Sequence, residues 1–337
     1  MARTIRIRNI NFMLLLVILF FLLLVVTLTS LLIGSVDVSL SEFFQILFSS
    51  NGDDTLSKII FEIRLPRILL AIAVGGGLSV AGAVFQAILL NPLAEPYILG
   101  ISSGGAFGAV LAIALNLSFI LVQLFSFAGA IGVIAIVFLV GKRFGELEPN
   151  VLILSGVMVG AFFSALILLI MNFLDDSFRF AIFYLMGNLS IADSSSIYYV
   201  LICSIVLSTI LIINSYKYNV VALGSTEAKH LGVNAKAIKN ISYLVSSILV
   251  GAIVSVSGII GFVGLVVPHI CRLIFGIDNR IVLPVSFFVG AIFLIVADTI
   301  SRTLIAPSEL PVGVITAIIG APIFIYLLKK RFKLYHR

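Results

Sequence analysis

Residues 68–90 run without a single charge, and the chain then breaks on Asn91-Pro92-Leu93-Ala94-Glu95-Pro96 before a second apolar run begins. A helix rising 1.5 Å per residue needs about 20 apolar residues to cross about 30 Å of hydrocarbon, and this run supplies them. Pro92 and Pro96 cannot continue a helix, and each pushes the residue before it toward extended geometry. Asn91 and Glu95 call for water or a protein partner. The stretch therefore predicts a helical hairpin through a bilayer. The triplet Gly75, Gly76 and Gly77 stands in its first arm, and Gly100, Gly104 and Gly108 follow at GxxxG spacing, which lets another helix approach backbone to backbone.

Of 337 residues, 61% are hydrophobic and 11% charged, which excludes a soluble domain and makes the chain a polytopic membrane protein. The net charge of +6 would suit nucleic acid, but 16 of the 21 lysines and arginines fall on one side of the predicted topology. The excess marks the cytoplasmic face. Cys203 and Cys271 both sit in apolar stretches, so neither a disulfide framework nor a metal knuckle is expected. Arg3, Arg6 and Arg8 precede the apolar run 12–34, which lacks a cleavage site and reads as a retained first span.

Ten spans with both ends cytoplasmic satisfy the charge rule, in a single domain covering 1–337. After the first span, the segment 35–58 carries Asp37, Glu42, Asp53 and Asp54 and belongs outside. The next spans are 68–90, 97–115, 119–141 (closed inside by Lys142 and Arg143), 151–173 and 197–214. Between the last two lies an outer segment, past Asp175, Asp176 and Arg179, that reads as a short surface helix. The polar stretch 216–240 is inside, with a short helix opening after Ser225 or Thr226, Gly224 before it and Gly232 near its end. Spans seven to ten follow, span nine as 281–297 and span ten as 312–328, and the tail KKRFKLYHR is basic. Spans two to five and seven to ten form two groups of four that start on opposite sides, the arrangement an inverted repeat gives.

No GxxxxGK[ST] occurs, so the chain has no P-loop. The middles of spans two to seven and of span ten hold no ionisable side chain, which argues against an ion-coupled carrier. In span eight, His269 and Arg272 serve either as a proton relay or ligand contact, or structurally, with Arg272 snorkelling to the inner surface and His269 bonded near Pro268.

Five blocks, taken together and in order, resemble the FecCD family of ABC importer permeases for iron chelates, haem and vitamin B12. They are RLPR from Arg64, QAILLNPLAEPYILGISSGG from Gln86, LGSTEAKHLGV from Leu223, GFVGLVVPHICRLIFG from Gly261 and LPVGVITAIIGAPIFIYLL from Leu310. The resemblance implies an all-α type II ABC importer permease fold of ten spans and a homodimer or paralogous pair around one pathway lined by spans five, eight and ten. It further implies two ATPase subunits inside, an extracytoplasmic binding protein outside, and a home in the cytoplasmic membrane of a bacterium or archaeon. Such a chain is no enzyme and holds no cofactor or metal; ATP and Mg sit on the partner ATPase, and no nucleic acid is involved.

By the same resemblance Gly224, Glu227, Ala228, Leu231, Gly232 and Val233 couple to the ATPase, and Asn91, Leu93 and Pro149 gate the inner exit. Arg64, Arg67 and Arg302 would dock the binding protein's glutamates at the outer surface. The residues alone leave a plainer role open for these arginines, with Arg302 paired to Asp298 at i, i+4 and the other two reaching lipid phosphates. Gly75-Gly76-Gly77 and Ala81 depart from the serine-containing pattern expected there, which bears on helix packing. The expected cargo is an iron(III) siderophore, haem or cobalamin. The alternatives are an oxyanion such as molybdate within the same class, or a self-contained secondary transporter or channel.

Overall fold

A computed structural model describes residues 12–34, 36, 38–48, 54–143, 146–174, 177–190 and 193–335. Arg3, Arg6, Arg8, Asp37, Asp53, Asp175 and Asp176, named above, lie outside the described residues. In chain order the helices are α1 (Phe12–Leu32), α2 (Leu40–Phe48), α3 (Asp54–Lys58), α4 (Leu65–Ile88), α5 (Ile101–Ala114) and α6 (Phe119–Val140). They continue as α7 (Pro149–Met171), α8 (Phe178–Leu185), α9 (Ser194–Ile213), α10 (Ser215–Val221), α11 (Ser225–His230), α12 (Ala235–Ser257), α13 (Val263–Phe275), α14 (Asn279–Thr303) and α15 (Val312–Tyr335). A π-helical turn, Ile59–Arg64, leads into α4. One hairpin of two-residue strands, β1 (Lys142–Arg143) and β2 (Glu146–Leu147), joins α6 to α7.

Among the described residues seven helices are long and apolar enough to cross a membrane, and the shorter apolar α5, α13 and 312–327 bring the candidates to the ten expected. Between α1 and α4 lie α2 and α3, and between α7 and α9 lies α8, all short. Two expectations are corrected. Span three starts as a helix only at Ile101, because Gly100 takes φ +74° and the residues before it form turns. Span nine extends past Ala297 to Thr303, which places Asp298 inside the helix at 1% exposure.

The bundle is organised around α4, which is buried along nearly its whole length. Its glycines explain how. A Cβ on Gly75 would lie 2.3 Å from the Gly290 carbonyl oxygen of α14, one on Gly76 would strike the Phe287 ring, and one on Gly77 would meet Ile253 of α12 and Ser204 of α9. A Cβ on Gly82 would stand 1.8 Å from the Gly264 carbonyl oxygen of α13. In lipid, where burying apolar surface gives helices little reason to associate, such close approach and its van der Waals contact do the holding. Ser204 adds a hydrogen bond from Oγ to the Ala73 carbonyl at 2.6 Å.

A second packing unit joins α5 to α6. Gly104 and Gly108 face the carbonyls of Gly129 and Phe125, as their spacing predicts, whereas Gly100 turns instead toward Gly156 of α7. Buried Tyr184 of α8 ties the outer segment to this unit, donating to Ser126 of α6 or to the Val254 carbonyl of α12, each at 2.8 Å. By contrast α1 and α7 leave most of their apolar side chains uncovered.

Candidate functional site

The loop 89–100 and the segment 258–262 are the irregular lead-ins to α5 and α13, the two short helices that stand second in the two groups of four. In membrane proteins such interrupted helices at matching places in two halves mark the pathway for a solute. Here they touch. The Glu95 carboxylate, 9% exposed, accepts from the Phe262 N–H at 2.8 Å. Burial pushes the Glu95 carboxyl up to about 7, against the opposing pull of that N–H.

Phe262 takes φ +67°, a left-handed conformation costly for a bulky residue and held here at the start of α13. A Cβ on Gly320 of α15 would lie 2.5 Å from the Phe262 Cβ, so the absence of a side chain there is what admits this residue. Beside the contact lies a cavity of about 500 Å³, lined by Glu95, Phe262, Met186, Gly261, Gly313 and Ala317 among others. It draws on α15, on the lead-in to α13 and on the end of α8, and on no residue of α7.

In the loop 89–100, Asn91 and Leu93 form a side-chain turn in which the Leu93 N–H donates to Asn91 Oδ1 at 2.9 Å. The Ala94 N–H donates to the Asn91 carbonyl at 3.1 Å. Leu93 is 39% exposed. Pro149 occupies the first turn of α7, where its missing N–H costs nothing, and the chain before it is pinned by the Glu148 N–H to the Gly141 carbonyl at 3.0 Å.

The segment 216–240 holds most of α10, all of α11 and the start of α12 at Ala235, rather than the single short helix expected before span seven. Ala228 of α11 packs with Val220 and Val221 of α10, and Val233 lies against them. Gly224 and Gly232 bracket α11 at φ +119° and +74°, where only glycine sits without strain. Nothing lies within 4 Å of a Cβ built on Gly232. Glu227 and Leu231 face outward, Leu231 at 56% exposure.

At the opposite end of the bundle, Arg64, Arg67 and Arg302 do not lie open at the surface and do not reach outward to lipid; they are 4%, 5% and 5% exposed. Arg67 pairs with Asp298 at 2.9 Å and with Glu309 at 2.6 Å. Arg302 pairs with the same Asp298 at 3.2 Å, the i, i+4 contact the sequence suggested, though without hydrogen-bond alignment. Arg302 also donates to Ser30 Oγ of α1 at 2.8 Å. Arg64 donates to the carbonyls of Leu31 at 2.6 Å, Leu32 and Val36. Charge pairing and carbonyl capping inside the bundle thus take up groups that hydropathy assigns to the water interface.

Arg272 does not snorkel either. Its guanidinium donates to Gln86 Oε1 and, at 3.0 Å, to the Ala83 carbonyl, both on α4. His269 is 9% exposed, its ring edge-on to Phe324 of α15. Among the described residues no cluster of histidine, cysteine, aspartate or glutamate is suited to a metal ion, and Cys203 and Cys271 are free thiols.

Comparison with known proteins places these features in a family setting. Residues 22–330 match the model of the FecCD transport family. The chain is 38% identical to the hemin transport system permease protein HmuU of Yersinia pestis, over 90% of this chain and 93% of that one. It is 36% identical to the molybdate import system permease protein MolB of Haemophilus influenzae, over 89% and 92% of the two chains. A solved ABC transporter in an inward-facing conformation superposes with a TM-score of 0.84 at 33% identity, covering 95% of this chain and all of that one.

Proposed function

The chain belongs to the FecCD transport family and is an ABC importer permease subunit, not itself catalytic, and from that premise we propose that it conducts a bulky metal chelate or tetrapyrrole. The cargo classes are an iron(III) siderophore, haem or cobalamin, delivered by an extracytoplasmic binding protein. In this reading two copies, or one copy and a paralogue, pair in the cytoplasmic membrane of a bacterium or archaeon, both termini inside, over two ATPase subunits that hold ATP and Mg.

The observation that carries the cargo class is the cavity at Glu95 and Phe262. Apart from Glu95 and Tyr97 its lining is apolar, with Met186, Phe262 and Ile318 beside the small Gly261, Gly313 and Ala317, and no lysine, arginine or histidine is in it. A compact oxyanion needs positive groups or converging donors, and here it would meet a carboxylate. A large cargo whose charge is already wrapped in ligand needs neither. The exposed Leu231 and the open space around Gly232 suit α11 to a groove on the ATPase, and the Asn91 to Leu93 turn with Pro149 narrows the inner exit. Docking of the binding protein at the outer arginines would run through Glu309, 39% exposed, which a partner's carboxylate displaces from Arg67.

The test is ATP-driven uptake into proteoliposomes by the complex that copurifies with this chain, using ferrichrome, haemin, cyanocobalamin and molybdate as separate probes. Accumulation of one of the first three is expected. Uptake of molybdate alone overturns the cargo class, and uptake by this chain without any ATPase overturns the partnership.

A further inference from the structure

At the inner face, α10 and the end of α4 are joined by a chain of side chains for which no role has yet been assigned. Asn219 of α10 grips the first turn of α14 with three bonds. Its Oδ1 accepts from the Asn279 N–H at 3.0 Å and from Asn279 Nδ2 at 2.8 Å, and its Nδ2 donates to Asp278 Oδ1 at 2.7 Å. Asn279 Oδ1 accepts in turn from Arg272 Nη2 at 3.4 Å. Arg272 then holds Gln86 and Ala83 of α4, and Gln86 Nε2 donates to the Leu265 carbonyl at 3.4 Å. Two residues after Gln86, α4 ends and the loop 89–100 begins.

We propose that Asn219, Asn279, Arg272 and Gln86 are the positioning residues that carry a displacement of α11 to the gate loop, an inference that rests on the reading of α11 as the ATPase contact. Three observations support it. Contact of Ala228 with Val220 and Val221 makes α10 and α11 one body, so a push on α11 moves Asn219. Asn279 and Gln86 are 6% and 4% exposed, so water has little access to replace their bonds when they stretch. A cavity of about 580 Å³, lined by Asn219, Ala222 and Leu223 and also by Leu90 and Pro92 of the loop, leaves room for the two sides to shift. The links at Arg272 are to neutral amides and carbonyls, which can be remade within a transport cycle more readily than a buried ion pair.

Hydrogen exchange on the full chain in phospholipid nanodiscs tests this without ATPase or cargo, so its outcome is separate from that of the uptake experiment. The readout is exchange across residues 93–98, far along the chain from Asn219. Asn219→Ala and Arg272→Gln should each speed it about fivefold or more, the change one lost hydrogen bond sustains. The double variant should be no faster than the faster single, because both cut one chain. Asn214→Ala, half-buried and outside the chain, should leave the loop unchanged. If Asn219→Ala does not insert, Asn219→Asp keeps acceptors for Asn279 while setting a carboxylate against Asp278, and should speed the loop likewise. Faster exchange confined to 278–282, or effects of the two substitutions that add, would reduce these residues to local packing.

Discussion

Two arginine sites stand at opposite ends of α4, and they solve the burial of a guanidinium in different ways. At the outer end Arg67 and Arg302 share Asp298, and Arg67 takes Glu309 as well, so charge is cancelled by charge. At the inner end Arg272 is held by Gln86, Ala83 and Asn279, none of them charged. The outer network fastens α1, α4, α14 and the loop 304–311 into a closed clamp. The inner one borders a cavity and satisfies hydrogen bonds without neutralising the charge. A clamp of ion pairs holds geometry, and a chain of neutral acceptors permits exchange of partners.

The largest effect should come from Asp298→Ala, which leaves two buried guanidinium groups without their shared carboxylate. Removing one partner of a buried pair costs about 3–5 kcal/mol. The thermal unfolding midpoint in detergent, followed by circular dichroism, should fall clearly below wild type. An unchanged midpoint would mean that water already reaches the site and that the clamp is no clamp.

Arg272→Lys sharpens the contrast from the other end. It keeps the charge but loses the fork that reaches α4 and Asn279 together, at about 1–3 kcal/mol for the acceptors left unmet. The same melting measurement should show a smaller fall than Asp298→Ala, and a larger one would reverse the ranking of the two sites.

Glu309→Gln should be milder still. Arg67 retains Asp298, and Glu309 is 39% exposed, so a loss below about 1 kcal/mol is expected, shrinking as salt is raised.

The smallest effect is a pH dependence at the inner site. Hydrogen bonds from Arg280 hold Asp278 down at about 2. A carboxyl depressed on folding contributes stability above its unfolded value near about 3.9, and that contribution is lost as pH falls from there toward the folded value. Because the pair is open to solvent, screening keeps the contribution small. Melts between neutral and acid pH should therefore show an acid-side loss in wild type that Asp278→Asn lacks.

What the sequence determined by itself is the set of spans and the places where they break. Hydropathy is a property of each residue against lipid, summed locally, and the excess of lysine and arginine on one side needs no partner to be read. The turn at Asn91 and the glycines around α11 were legible for the same reason, since proline and left-handed backbone act over a few residues. Tertiary structure alone decided the rest. Asp298 looks like the end of a span until Arg67, 231 residues earlier in the chain, neutralises it and lets α14 continue to Thr303. The prolines before α5 and the glycines around α13 mark breaks in the sequence, and only the contact of Glu95 with Phe262 shows that the two irregular lead-ins support one another. Which helix each glycine of α4 admits, and that Arg272 turns inward to Gln86 rather than outward to the surface, depend on neighbours far apart in the chain. No local pattern encodes these choices, because close packing and pairing are properties of two surfaces and a sequence window describes only one.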